Sequence, residues 1–571
     1  MARRETIRGI AILAVAFGVV ALGAATAMGA FGGRPWDFGP VASAGTLPSS
    51  GTGNASPSAS ASSPADEVDG DEGISLPAEW LAPADGRIQI YPDSPSILPG
   101  QPLLLHASTD AGLYSLAITR DGAAPQVVFR QTGYVAADYR GELTIDQTML
   151  TIRANWPVSA TVPTDGWRPG VYTVAAKDSR GRTSSTLFVV RSPVIHRTDM
   201  LYVLPVMTYQ AYNNWGGSDL YTSPRAFRVS FDRPYSASAG LGQYPAYDRP
   251  ILAWAERRGY PLAFTTDYDL SMSPPATAPA VLLLPQHTEY VTALLYDWVD
   301  QHVNGTGDMN VALFGANSFY WQVRMAPNPQ GPSRPSDIVA YKDCTLDPIT
   351  VTNPALTTCR WRDAPINRPE TTLFGAMYSG IVANGHIGYD LTVSGDMPDW
   401  AIAGTGWKPG TVLGAMVGGE ADMTATDQGG IAIATGTAPY RDTGLMLDAA
   451  MTVRVSPAGA HVFDAGTFLM GAALGGKVSL GVPQGSFERF TVNVLHWLGM
   501  SPGQVLPPAS PSPSPSPTPS PSPSPSPSQS PSPSPSHTPA PSPTPTSTAS
   551  AGPLPTPRPT PPPRFGPPRQ L

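Results

Sequence analysis

The carboxyl-terminal part of the chain repeats Ser-Pro and Thr-Pro units that exclude ordinary secondary structure. The repeat lies within residues 504–571 and holds many of the 67 prolines. Each proline fixes φ near the polyproline II value and lacks a backbone donor, so neither helix nor sheet can form. We therefore predict a disordered Ser/Pro/Thr-rich tail, and the folded part is shorter than the 571 residues of the chain.

The first thirty residues have the pattern of an export signal. Arg3, Arg4 and Arg8 precede an apolar run that begins at Ile10, and small residues follow it up to Ala30. This run is about as long as the ~20-residue helix that crosses a bilayer. Residues 1–30 are thus predicted to be a signal peptide or an N-terminal membrane anchor. A secreted or cell-surface protein is expected, with membrane contact only through this segment.

Residues 31–76 form a second low-complexity stretch. They are mostly Ser, Ala, Gly and Pro, and an acidic run lies at 66–72. Such a composition cannot bury enough apolar surface to offset the entropy lost on ordering. A disordered linker is therefore predicted between the export signal and the folded region.

Net charge argues against nucleic acid as a partner, and the cysteine content argues against thiol chemistry. The net charge of −8, with 14% charged residues, lacks the basic footprint that nucleic-acid binding requires. The two cysteines, Cys344 and Cys359, are expected to form a local disulfide in an exported chain. A reactive or metal-binding thiol would need a nearby base or second ligand, and neither cysteine has a Cys-x-x-Cys or Cys-His neighbour.

Short apolar runs alternate with turns between residues 77 and 193, and no helical stripe interrupts them. Runs at this spacing favour an antiparallel sandwich, so we predict an Ig-like β-sandwich over residues 77–193. No catalytic cluster stands out within it. The runs that carry the prediction are 87–91, 102–106, 115–118, 170–174 and 186–190.

After Pro193 continuous apolar strands alternate with helices. Strands that are apolar nearly throughout are typical of a parallel sheet covered by helices on both faces. A multidomain α/β chain is therefore predicted, with a flavodoxin-like (class I glutamine amidotransferase-like) doubly wound parallel-sheet domain over residues 197–503. The predicted strands are 201–206, 280–285 and 309–315, and the predicted helices are 249–259, 291–303 and 487–498.

Polar and aromatic segments follow the three predicted strands. Parallel sheets bind ligands beyond the carboxyl ends of their strands. The segments 208–217, 286–290 and 315–321 are therefore expected to line a site, together with 230–235. Glu420 and Asp422 follow another apparent strand and shape the same cleft, without an assigned role.

Several familiar chemistries are excluded on motif grounds. The Gly-x-Ser-x-Gly match at 499–503 follows a predicted helix rather than a strand, unlike a nucleophile elbow. The sequence also lacks a phosphate loop, a dinucleotide fingerprint and a His-Glu-x-x-His motif. Triad hydrolases, nucleotide-dependent enzymes and zincins are set aside on these grounds.

What remains is a set of phenol and carboxylate oxygens with a histidine beside it. Such oxygens suit a hard, highly charged cation, and ferric iron is the natural candidate. A trivalent metal lowers the pKa of a bound water and polarises an amide carbonyl, so hydrolysis needs no protein nucleophile. His287, two residues before Glu289 on an extended segment, would lie on the same side as a base or hydrogen-bond partner.

The same segments resemble the large (beta) subunit of N,N-dimethylformamidase. Blocks at 341–343, 361–363, 418–422 and 464–468 resemble later parts of that subunit, and 166–172 resembles its preceding β-sandwich. The resemblance thus extends from about residue 77 to residue 503. Its main motifs are Thr-Tyr-Gln-Ala-Tyr-Asn-Asn-Trp-Gly-Gly (208–217), Val-Ser-Phe-Asp-Arg-Pro-Tyr (229–235), Leu-Leu-Pro-Gln-His-Thr-Glu-Tyr (283–290) and Phe-Gly-Ala-Asn-Ser-Phe-Tyr-Trp-Gln-Val-Arg (314–324).

The resemblance implies a mononuclear Fe(III) site made of two tyrosinates and one glutamate. Glu289 matches the glutamate, and Tyr212 matches one of the tyrosines. Tyr235 is expected to be the second tyrosine, with Tyr247 as the alternative.

Two more residues are implied to act in catalysis. His287 and Asn317 would orient ligands or substrate beside the metal. Structural alternatives remain open: Glu289 beside His287 could cap the helix predicted from Val291, and Asn317 could be a turn residue.

This chain also departs from the family. The characterised amidase is cytoplasmic and works with a small partner subunit, whereas an export signal and Ser-Pro tethers frame this chain, so the substrate does not transfer.

Two functions stay open. One is an exported Fe(III)-dependent hydrolase of non-peptide amide C–N bonds, acting on a small amide. The other is a non-catalytic surface module that binds envelope polysaccharide or protein; the oligomeric state is left open.

Overall fold

The computed structural model describes residues 88–236, 243–329, 331, 334–383 and 388–503. The predicted export signal (1–30), the linker (31–76) and the tail (504–571) lie outside the described residues, as do the first residues of the predicted sandwich.

Residues 88–190 form ten strands. One sheet has the order β1-β3-β8, a second has the order β2-β10-β9-β4-β5, and β6 and β7 form a hairpin. Ile90, Leu105, Tyr172 and Phe188 belong to the core that the two larger sheets enclose. The strands are β1 (Ile88–Pro92), β2 (Ser96–Ile97), β3 (Leu103–Thr109), β4 (Leu113–Arg120), β5 (Gln126–Val135), β6 (Thr144–Asp146), β7 (Thr151–Arg153), β8 (Val158–Val162), β9 (Gly170–Asp178) and β10 (Thr183–Val190).

Fifteen more strands are described after residue 193. The strands predicted at 201–206, 280–285 and 309–315 are present as β11, β14 and β16. The strands are β11 (Met200–Leu204), β12 (Arg228–Ser230), β13 (Leu262–Thr266), β14 (Val281–Leu284), β15 (Tyr290–Thr292), β16 (Asn310–Leu313), β17 (Trp321–Pro327), β18 (Pro335–Val339), β19 (Ala376–Ile381), β20 (Tyr389–Val393), β21 (Val412–Val417), β22 (Glu420–Thr424), β23 (Gly430–Pro439), β24 (Met446–Val455) and β25 (His461–Asp464).

The described α-helices are short apart from the last. The predicted helices at 249–259, 291–303 and 487–498 correspond to α2, α4 and α8. The helices are α1 (Val206–Ala211), α2 (Arg249–Arg257), α3 (Asp267–Met272), α4 (Ala293–Asp300), α5 (Thr371–Phe374), α6 (Asp399–Ile402), α7 (Met470–Leu474) and α8 (Gln484–Trp497). Among these described segments, no helix is both long and apolar enough to span a bilayer.

Nine strands build the largest sheet, in the order β13-β11-β14-β16-β25-β24-β23-β20-β21. The first five pair in parallel, and every residue of β11 and β14 is buried. From β25 onward the pairings are antiparallel. The sheet is therefore mixed.

The predicted fold class, multidomain α/β with a flavodoxin-like doubly wound sheet, is wrong. Of the described residues, 36% are in strands and 20% are helical, and the strands form several mixed and antiparallel sheets. A parallel connection needs a crossover of a dozen or more residues, usually a helix. Of the residues described between 321 and 464, only those of the four-residue helices α5 and α6 are α-helical. The strands of that stretch therefore pair with one another as antiparallel neighbours.

The two sheets of residues 88–190 pack directly on the later part of the chain. Val171 and Leu187 belong to the same apolar core as Tyr202 of β11. Arg120 Nη2 lies 2.8 Å from Glu256 Oε1 on α2. The division at residue 193 remains a prediction, although both regions share one core.

The predicted disulfide is confirmed. Cys344 and Cys359 are bonded, and they join the loop after β18 to the segment that hydrogen-bonds β17.

Candidate functional site

The carboxyl ends of β11, β14 and β16 meet at one edge of the nine-stranded sheet. Tyr212 follows β11 at the end of α1, Glu289 follows β14, and Asn317 follows β16. Parallel pairing of these strands brings the three segments together, as the position of ligand sites in such sheets predicts.

Two phenols hydrogen-bond one carboxylate here, and a third phenol contacts one of them. We call Tyr212, Tyr221, Tyr290 and Glu289 the phenol–carboxylate cluster. Tyr212 Oη donates to Glu289 Oε2 at 2.8 Å. Tyr221 Oη lies 2.7 Å from Tyr212 Oη and 3.1 Å from Glu289 Oε1. Its distance to Tyr290 Oη is 2.5 Å. Trp321 Nε1 also donates to Glu289 Oε1, at 2.9 Å.

Backbone contacts hold Glu289 in place. Its N–H donates to Thr208 Oγ1 on α1 at 3.0 Å, and its carbonyl accepts from the N–H groups of Tyr320 and Trp321. Behind it the chain at Gly315 runs against the Gln286 carbonyl, where a Cβ would lie 1.4 Å from that oxygen. The segments after β14 and β16 are therefore locked together, and Gly315 permits this close approach.

His287 lies between two acidic side chains. Its Nε2 is 3.4 Å from Glu289 Oε2 and 3.5 Å from Glu420 Oε2. Asn317 Nδ2 donates to Glu420 Oε2 at 2.6 Å, and the Asn317 N–H donates to Asp422 at 2.9 Å. Asn317 thus links the predicted site to the start of β22.

Burial controls protonation throughout the site. It lowers the pKa of His287 to about 3, so this imidazole is neutral. Burial raises the pKa of Glu289, and it raises that of Glu420 well above the ordinary glutamate value, with the neighbouring Glu289 as a further cause. Burial thus disfavours the charged forms of His287 and of both flanking carboxyls.

The phenols of the cluster also keep their protons. Burial, followed by the nearby Glu289 carboxylate, raises the pKa of Tyr212 and Tyr221 well above the tyrosine value. The same two causes act on Tyr290. A bound cation reverses this balance, because its charge favours the phenolate and carboxylate forms.

The cluster fits a ferric ion in donor type and in spacing. Phenol and carboxylate oxygens are hard donors. Oxygens on adjacent corners of an octahedron with metal bonds of about 2.0–2.1 Å lie about 2.8–3.0 Å apart. The distances of 2.7, 2.8 and 3.1 Å among Tyr212, Tyr221 and Glu289 are close to that spacing. Within the described part of the chain, no three His, Cys, Asp or Glu side chains form a metal-binding group.

The two other tyrosines considered from the sequence lie elsewhere. Tyr235 is buried beside Gln210 and Asp267, and the ring of Tyr247 lies 6.2 Å from that of Phe468. Phe468 in turn lies 4.7 Å from the His287 ring. Tyr212, His287, Glu289 and Asn317 are therefore brought together, whereas the polar neighbours of Tyr235 are outside the cluster.

Sequence reasoning missed Tyr221, Tyr290 and Lys342. Tyr290 directly follows Glu289 in a segment already singled out, so adjacency was an available signal. Tyr221 lies in a turn-rich stretch without a motif, and its role follows from its stacking on Tyr212, at 4.3 Å between ring centroids. Lys342 Nζ lies 3.0 Å from Tyr290 Oη and 3.5 Å from the Tyr221 ring centroid.

A cavity of about 490 Å³ adjoins the cluster through Tyr221 and Lys342. The Tyr221 ring is 38% exposed, although its hydroxyl reaches the buried carboxylate. Burial lowers the pKa of Lys342 to about 7. The cluster therefore has access to the surface on one side.

Comparison with known proteins agrees with the sequence resemblance. A family model described as N,N-dimethylformamidase beta subunit-like, C-terminal, matches residues 116–480, more than half of the chain. No curated protein matches this chain. Among solved structures, the crystal structure of a beta-glucosidase from Listeria innocua aligns at 11% identity over 19% of this chain and 16% of that chain, with a TM-score of 0.11. That likeness is too slight to bear on fold or function.

Proposed function

Because the chain belongs to the N,N-dimethylformamidase beta subunit-like family, we propose that it is an Fe(III)-dependent amidohydrolase acting on non-peptide C–N bonds. The observation that carries the proposal is the convergence of the Tyr212 and Tyr221 phenols on Glu289, 2.7–3.1 Å apart, with His287 beside them.

Tyr212, Tyr221 and Glu289 would hold the iron. Tyr221 replaces Tyr235 as the proposed second tyrosine, since its hydroxyl contacts both of the other ligands. When bound, ferric iron supplies Lewis acidity for an amide carbonyl and acidifies water.

The remaining residues supply proton transfer and orientation. Neutral His287 would accept a hydrogen bond at Nε2 from the attacking water and orient it. Glu420, whose pKa is raised by burial and which accepts a hydrogen bond from Asn317 Nδ2, would give a proton to the departing amine nitrogen. Trp321 and Lys342 keep Glu289 and Tyr290 in position through hydrogen bonds. The products would be a carboxylic acid and an amine.

We also propose that the protein is exported. The Cys344–Cys359 disulfide supports this, because structural disulfides persist mainly in oxidising compartments.

Metal content and a visible spectrum of the full chain, purified after iron-supplemented expression, test the proposal. Near-stoichiometric iron with a tyrosinate-to-iron charge-transfer band is expected. The band should weaken or vanish in Tyr212→Phe and in Tyr221→Phe, and iron content should fall with it. Tyr235→Phe is the matched control, since it removes one buried hydroxyl outside the cluster, and it should keep the band.

Two results would contradict the assignment in different ways. A band that survives Tyr221→Phe and disappears in Tyr235→Phe would return the second ligand to Tyr235. A well-folded, colourless, metal-free protein would refute the iron-dependent mechanism and favour a non-catalytic binding module for envelope polysaccharide or protein.

A further inference from the structure

The cavity beside the cluster has an apolar wall. Leu150, Leu220, Phe227 and Leu346 line it together with Pro224. Leu346 is 51% exposed. Burying such side chains against a ligand is favourable by roughly 25 cal/mol per Å² of apolar surface. The wall therefore suits an apolar substituent.

The ionisable side chains that line the cavity are basic. Arg225 and Lys342 line it, and no carboxylate is present among its described lining residues. Arg225 Nη2 donates to the Tyr341 carbonyl at 2.6 Å, which fixes the guanidinium without neutralising it. An arginine held in this way is well suited to a ligand carboxylate.

The size of the cavity argues against a very small amide. Its volume of about 490 Å³ lies within the roughly 300–1,000 Å³ typical of sites for drug-sized ligands. An amide as small as N,N-dimethylformamide would leave most of the apolar wall and the Arg225 guanidinium without contacts.

We propose that this cavity binds the part of the substrate that is not cleaved, and that the substrate is an amide with both an apolar group and a carboxylate, as in an N-acyl amino acid. The proposal rests on the amidohydrolase function above and adds its substrate class. Arg225 would bind the carboxylate, the apolar group would lie on Leu150 and Phe227, and the amide bond would be next to Tyr221.

Equilibrium binding to the full chain tests the ligand class apart from any turnover. The probe is 3-phenylpropanoate, which has an apolar ring and a carboxylate but no amide bond, and 3-phenyl-1-propanol is its uncharged partner. Calorimetry with Arg225→Gln should show binding of the acid weakened about tenfold, as expected for a lost charge-assisted hydrogen bond, with binding of the alcohol unchanged. Arg130→Gln, which removes an exposed arginine on β5, is the matched control and should bind the acid normally.

A second variant tests the apolar wall. Leu346→Trp fills the cavity from an exposed position and should weaken the binding of acid and alcohol alike. Hydrolysis rates complete the experiment: N-acetyl-L-phenylalanine should be cleaved faster than N,N-dimethylacetamide, and Arg225→Gln should remove that preference.

Equal affinity for acid and alcohol, or equal effects of Arg225→Gln and Arg130→Gln, would overturn the proposal. The two proposals fail separately. The expected binding pattern in a protein without iron or amidase activity would refute the enzyme and leave the ligand class standing. Iron and hydrolysis of simple amides without any preference for a carboxylate would refute the ligand class alone.

Discussion

At the scale of single residues, Asp337 joins two arginines from separate parts of the chain. Its Oδ2 lies 2.6 Å from Arg153 Nη2 and 2.7 Å from Arg228 Nη2, and the side chains of Asp337 and Arg153 are 0% and 1% exposed. Asp337→Ala leaves the buried Arg153 without its partner, so the free energy of unfolding should fall by about 3–5 kcal/mol. Urea denaturation measures this.

The matched control for that prediction is Asp442→Ala. Asp442 pairs with Arg441 while 52% exposed, and solvent screening limits such pairs to about 0–1 kcal/mol. Similar losses for the two variants would show that the buried pair contributes no more than a surface one.

The candidate site shows how far single residues could be predicted from sequence. Strand ends predicted only the segments that hold Glu289 and Tyr212, and the family resemblance singled out the two residues, which are hydrogen-bonded at 2.8 Å. Tyr235 was preferred as the second tyrosine because it stands in a motif, yet its side chain points to Gln210 and Asp267. Tyr221 is brought in by a turn-rich loop, and neither periodicity nor spacing predicts where such a loop places a side chain.

At the scale of elements, the contact between the segments after β14 and β16 depends on a glycine. A Cβ at residue 315 would meet the Gln286 carbonyl at 1.4 Å. Gly315→Ala must separate the two segments and displace Glu289 and Asn317, so we expect loss of iron and of the charge-transfer band along with lower stability. Metal analysis and thermal unfolding measure the two effects.

Gly485 offers the matched glycine control. It lies in the first turn of α8, and a Cβ there would meet no atom within 4 Å. Gly485→Ala should keep the iron and be neutral or stabilising by up to about 1 kcal/mol. Iron retained in Gly315→Ala would mean that this close approach does not position the site.

The elements also explain where the fold prediction succeeded and where it failed. Continuous apolar runs predicted β11, β14 and β16 because strands buried on both faces cannot alternate. Beyond Trp321 some strands mix buried and exposed residues: β23, for example, includes exposed Ile431. Register and pairing of such strands depend on partners distant in the chain, so the antiparallel half of the sheet was not predicted.

At the scale of the whole molecule, buried acids make stability depend on pH. Burial raises the pKa of Asp248 to about 7, and Tyr209 Oη donates to it at 2.7 Å. Because the pKa of the folded state is above that of the unfolded state, folding takes up a proton at any pH between these two pKa values. This contribution is complete below the unfolded value of 3.8 and is lost as the pH rises toward about 7.

Asp248→Asn tests that contribution, because the amide keeps the shape without a titrating proton. The loss of stability between pH 4 and 7 should be smaller in the variant than in the parent protein, measured by denaturant unfolding at several pH values. Identical pH profiles would show that Asp248 does not titrate in this range.

The whole molecule should also depend on its first two sheets. Val171 and Leu187 share a core with Tyr202 of the central strand, and Arg120 pairs with Glu256. A chain comprising residues 194–503 would expose this core, so we expect it to aggregate, whereas residues 77–503 should unfold cooperatively. A soluble, cooperatively folding 194–503 fragment would show the two regions to be independent.

The β6–β7 hairpin has a consequence for how this family can diversify. Leu150, at the turn of that hairpin, forms part of the cavity wall, while the groups that would perform the chemistry come from segments more than sixty positions later. Insertions and substitutions in an exposed turn are tolerated far more readily than changes beside buried phenols. Members of this family would therefore acquire new ligands by exchanging a short loop, with the buried phenols inherited unaltered.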